Sequence, residues 1–337
     1  MLDLQYPIIQ APMAGGVSNP TLASAVSNAG GLGFLAAGYK SSEALKQEIT
    51  EVRKLTTKAF GVNIFVPSSE DVNEEELVAY GQKIEKEAEK LGTSIGKTVA
   101  DDDDWQNKLQ LMVEENVPIV SFTFGCPSSD IIRKLQNNGT YVIISVTNLG
   151  EATLAANSGA NALCLQGMEA GGHRASFSNK QMEEQEFTIL DFISIVRQNI
   201  NLPIIAAGGL MDGQAIQQVL NAGASAAQLG TAFLCCPESG TNPVHREALI
   251  SARFTSTAVT RAFTGRRARG LVNEFLTAYT EVAPAAYPHI HQMTQPLRKS
   301  NNVEYMSLWA GEGFKQCREL PAAALIEILM EEQIITK

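Results

Sequence analysis

Ala162-Leu163-Cys164-Leu165-Gln166-Gly167-Met168-Glu169-Ala170-Gly171-Gly172-His173-Arg174 is the stretch that decides the reading of this chain. Its first part, Ala162–Gln166, is apolar, too short for a helix and free of strict polar alternation. That is the pattern of a strand buried on both faces of a parallel sheet. Similar runs occur at Pro7–Gln10, Gly33–Ala37, Gly61–Val66, Ile119–Phe124, Tyr141–Val146, Pro203–Ala207 and Ala226–Leu234, making eight with Ala162–Gln166. Helix-like stretches lie between them at Pro20–Ala29, Ser42–Leu55, Ser128–Gln136, Leu149–Ser158, Ile189–Asn199 and Gly213–Ala222. The first follows a cap candidate in Ser18-Asn19 and stops at Gly30-Gly31, as helix boundaries should.

Alternating strands and helices imply right-handed parallel crossovers. Eight units in about 230 residues match a closed (β/α)8 TIM barrel in the α/β class. An open doubly wound sheet is the competing architecture, but its GxGxxG fingerprint at the first helix is missing. Ser68–Glu115 reads as a charged helical insertion after the third strand. A helical region, roughly Asn242–Tyr287, precedes a returning segment, Leu308–Lys337. The expected division is therefore a barrel of residues 1–236 plus about 300–337, and a helical lid of about 237–299 near the barrel mouth.

Composition narrows the function classes. The chain has 337 residues, 45% of them hydrophobic and 18% charged, enough for a sizeable core. A net charge of -10 argues against a general nucleic-acid binder. The basic run Arg266-Arg267-Ala268-Arg269 reads as a solvated helix end or loop. The run Asp101–Asp104 before Trp105 lacks metal-ligand spacing and reads as a solvated turn or helix start. Five cysteines without a CxxC pair suggest neither a disulfide framework nor a zinc site. The opening Met1–Pro7 shows no signal-peptide pattern, and no apolar stretch approaches the roughly 20 residues that span a bilayer. A cytoplasmic enzyme without a bound metal is the expectation.

Catalytic and binding groups of such barrels stand at the C-terminal ends of the strands. The first strand leads into Met13, Ala14, Gly15 and Gly16, small residues that let the backbone approach a flat ligand. The third offers Asn63, an amide donor and acceptor. The sixth places Gln166 at the rim, and Gly171-Gly172 brings His173 over whatever lies there. An imidazole exchanges protons near neutral pH. The last two strands end in Gly208-Gly209 and in Gln228-Leu229-Gly230-Thr231, where barrels often bind phosphate through backbone N–H groups and a following helix N-terminus. A phosphate there and an amide at Gln166 would suit FMN lying across the mouth.

These motifs resemble the nitronate monooxygenase family, formerly called 2-nitropropane dioxygenases. The likeness rests on Gln10–Gly16, Ala29–Gly33, Gly61–Phe65, Gln166–Arg174, Ala206–Gly209 and Gln228–Thr231, and resumes at Leu308–Gly313. The resemblance implies a non-covalently bound FMN held by Asn63, Gln166, Gly171, Gly208, Gly209 and Gln228–Thr231. Met13, Ala14 and Gly15 would pass beside its ring, and His173 would face the reactive edge and the substrate. It also implies a flavin-dependent oxidoreductase that oxidises alkyl nitronates with O2 to a carbonyl compound and nitrite or nitrate. Propionate 3-nitronate, a toxic plant metabolite, is the implied substrate and detoxification the implied role, in a monomer or homodimer. Arg298, Lys299 and Tyr305 precede the returning segment and are further candidates to approach the anion. Two alternatives stand beside this reading. One is an FMN-dependent enoyl-acyl-carrier-protein reductase using NAD(P)H. The other is a non-catalytic flavin- or phosphate-binding barrel, which would have no need of a proton-transfer group such as His173.

Overall fold

The computed structural model describes residues 4–68, 70–180 and 186–334. The outermost parts of the Met1–Pro7 and Leu308–Lys337 stretches, and Ser69 of the 68–115 stretch, lie outside the described residues. The barrel strands are β1 (Ile8–Gln10), β2 (Phe34–Ala36), β3 (Gly61–Phe65), β4 (Ile119–Thr123), β5 (Tyr141–Val146) and β6 (Ala162–Gln166). A two-residue strand, β7 (Gly172–His173), lies outside the barrel, and β8 (Ile204–Ala207) and β9 (Ala226–Leu229) complete it. All eight barrel strands are parallel, in the order β1-β9-β8-β6-β5-β4-β3-β2. The ring closes where the Gln10 amide donates to the Leu32 carbonyl and the Leu32 amide to the Ile8 carbonyl.

The strand sequences carry no polar alternation because both strand faces are buried, yet their side chains do alternate. On β6, Leu163 and Leu165 join the layer beneath the helices, while Ala162 and Cys164 pack inside the barrel. On β8, Ile204 and Ala206 face out and Ile205 and Ala207 face in. Burial of each such Leu or Ile is worth roughly 1.5–3 kcal/mol, so the double-sided strands carry much of the core.

The helices are α1 (Pro20–Asn28), α2 (Ser42–Leu55), α3 (Glu74–Lys90), α4 (Trp105–Glu114), α5 (Ser129–Asn137), α6 (Leu149–Asn157), α7 (Ile189–Asn199) and α8 (Gly213–Asn221). Asn19, Ser41, Ser128, Asn148, Thr188 and Asp212 each cap one through the side chain. Of the two helices within residues 68–115, α4 packs on α2 and β3 and fills the barrel's helix position after β3. α3 instead leaves the barrel and packs on α11 (His289–Arg298) through Tyr80, Ile84 and Ala88.

The segment after the barrel holds more than helices. Alongside α9 (Pro243–Ile250), α10 (Glu274–Tyr279) and α11, it forms a hairpin of β10 (Thr257–Thr260) and β11 (Ala268–Leu271). β11 pairs antiparallel with β7, so His173 sits opposite Ala268 and is held by the segment after the barrel and by the barrel together. The chain returns to the barrel through α12 (Ala322–Ile334), which packs on α1 and α8. No described helix is long and apolar enough to cross a membrane.

Two further expectations fail on the fold. The apolar run Ala226–Leu234 is strand only to Leu229, and Thr231–Phe233 is a 3-10 turn. Short buried runs look alike in either state, and only pairing with neighbours separates them. The basic run is neither solvated nor a helix end. Ala268 and Arg269 lie on β11, Arg266 is 1% exposed and Arg269 9% exposed.

Candidate active site at the barrel rim

A cavity of about 560 Å3 opens at the C-terminal ends of the strands. Met13, Ala14 and Gly15 line it from the β1 turn, and Asn63 from β3. Gln166, Gly171 and His173 line it from β6 and its loop. Gly208, Gly209, Gln228, Leu229, Gly230 and Thr231 close the opposite side. Arg298 also reaches it, whereas Lys299 is an exposed helix-end residue. The Tyr305 hydroxyl donates to Glu87 at 2.7 Å, outside the cavity lining.

Each polar group here is partly spent on the protein. Asn63 Nδ2 donates to Ser121 and Thr123 hydroxyls at 2.9 Å, leaving its carbonyl oxygen for a ligand donor. Gln166 Nε2 donates to the His173 carbonyl at 3.0 Å, and its Oε1 accepts from the Ala175 amide at 2.8 Å. Gln166 therefore pins the loop that carries His173 and keeps one N–H and one lone pair for a ligand. Gly171 is required by close approach. A Cβ there would meet the Gly311 nitrogen at 2.4 Å, on the returning Leu308–Gly313 segment.

On the β8 and β9 side, Gly208 (φ +130) and Gly209 (φ +68) adopt conformations that glycine favours. The amides of Gly208, Gly209 and Gly230 have no acceptor among the described residues. Buried or rim amides are rarely left so, and three of them beside one cavity suit phosphate oxygens. The Thr231 hydroxyl accepts from the Gly311 amide at 3.0 Å and retains its own proton to donate. After β8 the first amides of α8 meet carboxylates of this chain. Asp212 accepts from the Ala215 amide at 2.8 Å and Glu332 from the Gly213 amide at 2.8 Å.

His173 is set among aromatic rings, with Trp309 at 5.4 Å, Phe124 at 5.9 Å and Tyr287 at 6.1 Å between centroids. Its Nε2 lies 2.9 Å from the Thr264 hydroxyl oxygen. That hydroxyl also lies 3.2 Å from the Arg266 carbonyl, so Thr264 anchors the ring at Nε2. Burial, with added repulsion from Arg266 and Arg298, pushes the imidazole pKa down to about 3. The ring is thus neutral and basic in form at neutral pH.

Of the three further candidates only Arg298 lines the cavity, while Arg266, His291 and Tyr39 were not assigned as site residues from sequence. The Arg266 guanidinium stacks over Phe124 at 3.9 Å and donates to the carbonyls of Arg174 and Ser176. Arg298 donates to the His291 carbonyl at 2.7 Å and lies 3.2 Å from His291 Nδ1. Neither arginine has a carboxylate within ion-pair distance among the described residues, and burial lowers both to about 10. The cavity therefore carries a positive field suited to a small anion. His291 stacks face to face on Tyr39 at 4.1 Å. The HxxxxxxR spacing of His291 and Arg298 on one helix was the legible signal, since it places both on one face two turns apart.

A family model for nitronate monooxygenase matches residues 1–332. A nitronate monooxygenase of Pseudomonas aeruginosa is 40% identical over 98% of this chain and 97% of its own length. The structure of a nitroalkane oxidase from Streptomyces ansochromogenes superposes with a TM-score of 0.95, at 44% identity, covering 98% of this chain and 96% of that one. FabK from Thermotoga maritima is more distant, with a TM-score of 0.78 and 30% identity over 99% of this chain and 94% of that one.

Proposed function

The chain belongs to the nitronate monooxygenase family, and on that premise we propose that this oxidoreductase uses FMN and O2 to oxidise small alkyl nitronates, propionate 3-nitronate among them, to a carbonyl compound with nitrite or nitrate. The observation that carries the proposal is the meeting, around one cavity, of three unpartnered amides, a neutral imidazole and a half-buried arginine.

Gly208, Gly209, Gly230 and Thr231 would hold the FMN phosphate, with Asn63, Gln166, Gly171, Gln228 and Leu229 along its body and Met13, Ala14 and Gly15 beside its ring. When bound, FMN supplies the electron transfer between substrate and O2, which no side chain here can perform. The protein's own part is binding, orientation and proton handling. Arg298, with the Arg266 field behind it, attracts and orients the anion. The aromatic rings around His173 displace water and strengthen that attraction. For a neutral nitroalkane, His173 Nδ1 is the group to receive the α-proton, which requires Nε2–H to donate to the Thr264 hydroxyl and that hydroxyl to donate to the Arg266 carbonyl.

Anaerobic titration of the purified protein tests this directly. Propionate 3-nitronate should change the absorbance of bound flavin while NADH does not. Reduction by NADH alone would transfer the chain to the reductase reading, and a colourless protein that takes up no FMN would remove both. The proposed cellular role is detoxification in the cytoplasm.

A further inference from the structure

A second cavity, of about 750 Å3, lies against the first and shares Tyr39, Phe65, Phe124 and His291 with it. Those four rings form the partition. Tyr39 is its hinge piece, because its ring stacks on His291 at 4.1 Å and meets the edge of Phe65 at 5.5 Å. The Tyr287 hydroxyl donates to the Tyr39 hydroxyl at 3.2 Å. Behind His291 stands Arg298, which reaches the inner cavity.

Tyr39 lies in the β2–α2 loop with a left-handed backbone, φ +67, which a tyrosine does not adopt unaided. Its amide donates to Asp103 Oδ1 at 2.8 Å. The other oxygen of Asp103 meets the ammonium of Lys108 at 2.8 Å, and the Lys108 side chain is 0% exposed. Asp104 beside it accepts from the Ser42 amide at 2.7 Å, so two acids of the Asp101–Asp104 run tie down this loop from α4. A fully buried lysine beside a half-loop of acids is costly unless it fixes something, and what it fixes is the Tyr39 backbone.

We propose that Asp103, ion-paired with Lys108, is a positioning residue that holds Tyr39 as the wall between the two cavities and so limits the chain length of the anion the inner cavity accepts. The proposal rests on the anion-binding reading of that cavity. With Asp103 in place the wall is closed, and the tail of a bound anion ends at the Tyr39–His291 stack. With the clamp gone, the tyrosine swings and the tail extends into the outer cavity.

Calorimetric titration of the holoenzyme with straight-chain carboxylates, acetate to octanoate, reads this without turnover. Wild-type affinity should fall as the chain lengthens. Y39A and D103A/K108M should bind octanoate about tenfold tighter than wild type, the gain expected when two or more methylenes find apolar surface, with acetate unchanged within about twofold. D103N/K108M, which keeps an acceptor for the Tyr39 amide without the charges, should restore the wild-type profile. An unshifted profile in D103A/K108M, or a wild type that binds no carboxylate, overturns the proposal. Should that variant not fold, hydrogen exchange in wild type decides: a protected Tyr39 amide supports the clamp and a freely exchanging one overturns it. Nitronate turnover is scored separately by O2 uptake. A chain-length shift in protein that leaves nitronates untouched supports the clamp and removes the proposed reaction alone.

Discussion

His173 shows how much of a residue's chemistry is conferred by its neighbours. A histidine after two glycines is only an available imidazole; Thr264 anchors its Nε2, and burial beside two arginines lowers its pKa. Its low pKa places the acid limb of kcat/KM for neutral nitroalkanes below about pH 4 if His173 is the base, because a group depressed to about 3 keeps its lone pair throughout pH 5–8. A limb near the ordinary histidine value would show a solvated ring. His173→Asn should slow neutral nitroalkanes about 10²–10⁴-fold, the usual worth of a positioned base, while preformed nitronates lose far less and FMN stays bound. Equal losses on both substrates, measured by O2 uptake, would reassign His173 to orientation. Arg298→Met should raise KM for nitronates by about tenfold or more with a smaller change in kcat, since the charge acts on the bound anion before reaction.

At the scale of elements, the site is made where loops are pinned by other parts of the chain. The β6 loop is held by Gln166 on its own strand and by β11, and the β1 turn is closed by Ser18, which accepts from the Met13 amide at 2.8 Å. The β8 turn depends on glycine geometry. At Gly209 a side chain would face φ +68 and the Glu169 Cβ at 3.0 Å. Gly209→Val should therefore lower both melting temperature and retained flavin, with the backbone strain alone costing on the order of 1–2 kcal/mol. Full flavin content after gel filtration would place the phosphate elsewhere.

For the whole molecule, acid stability follows from burying imidazoles. His245 is 8% exposed and is pushed to about 4 by burial, against an opposing hydrogen bond to the Trp309 backbone. Below its ordinary value of 6.5 the unfolded chain binds a proton that the folded chain refuses. Stability is thus intact above pH 6.5 and is lost as pH falls toward 4, by on the order of 3 kcal/mol from this residue. His245→Gln should flatten the fall in melting temperature between neutral and acid buffer. An unchanged slope would mean that the ring is hydrated in the folded state.

What the sequence determined by itself was the ladder of eight buried strands, most helix boundaries and the rim residues from Met13 to Thr231. These are local signals: apolar run length, caps and glycines next to strand ends all act within a few residues. Tertiary structure alone decided the rest. Arg266 reads as a surface cation until β11 pairs with β7 and carries it under Phe124. Asp103 reads as one solvated acid of four until α4 brings it to the Tyr39 amide, and Leu229 ends its strand only because the pairing with β1 stops there. Charge burial and strand termination depend on partners remote in sequence, and composition within a short window holds no record of them.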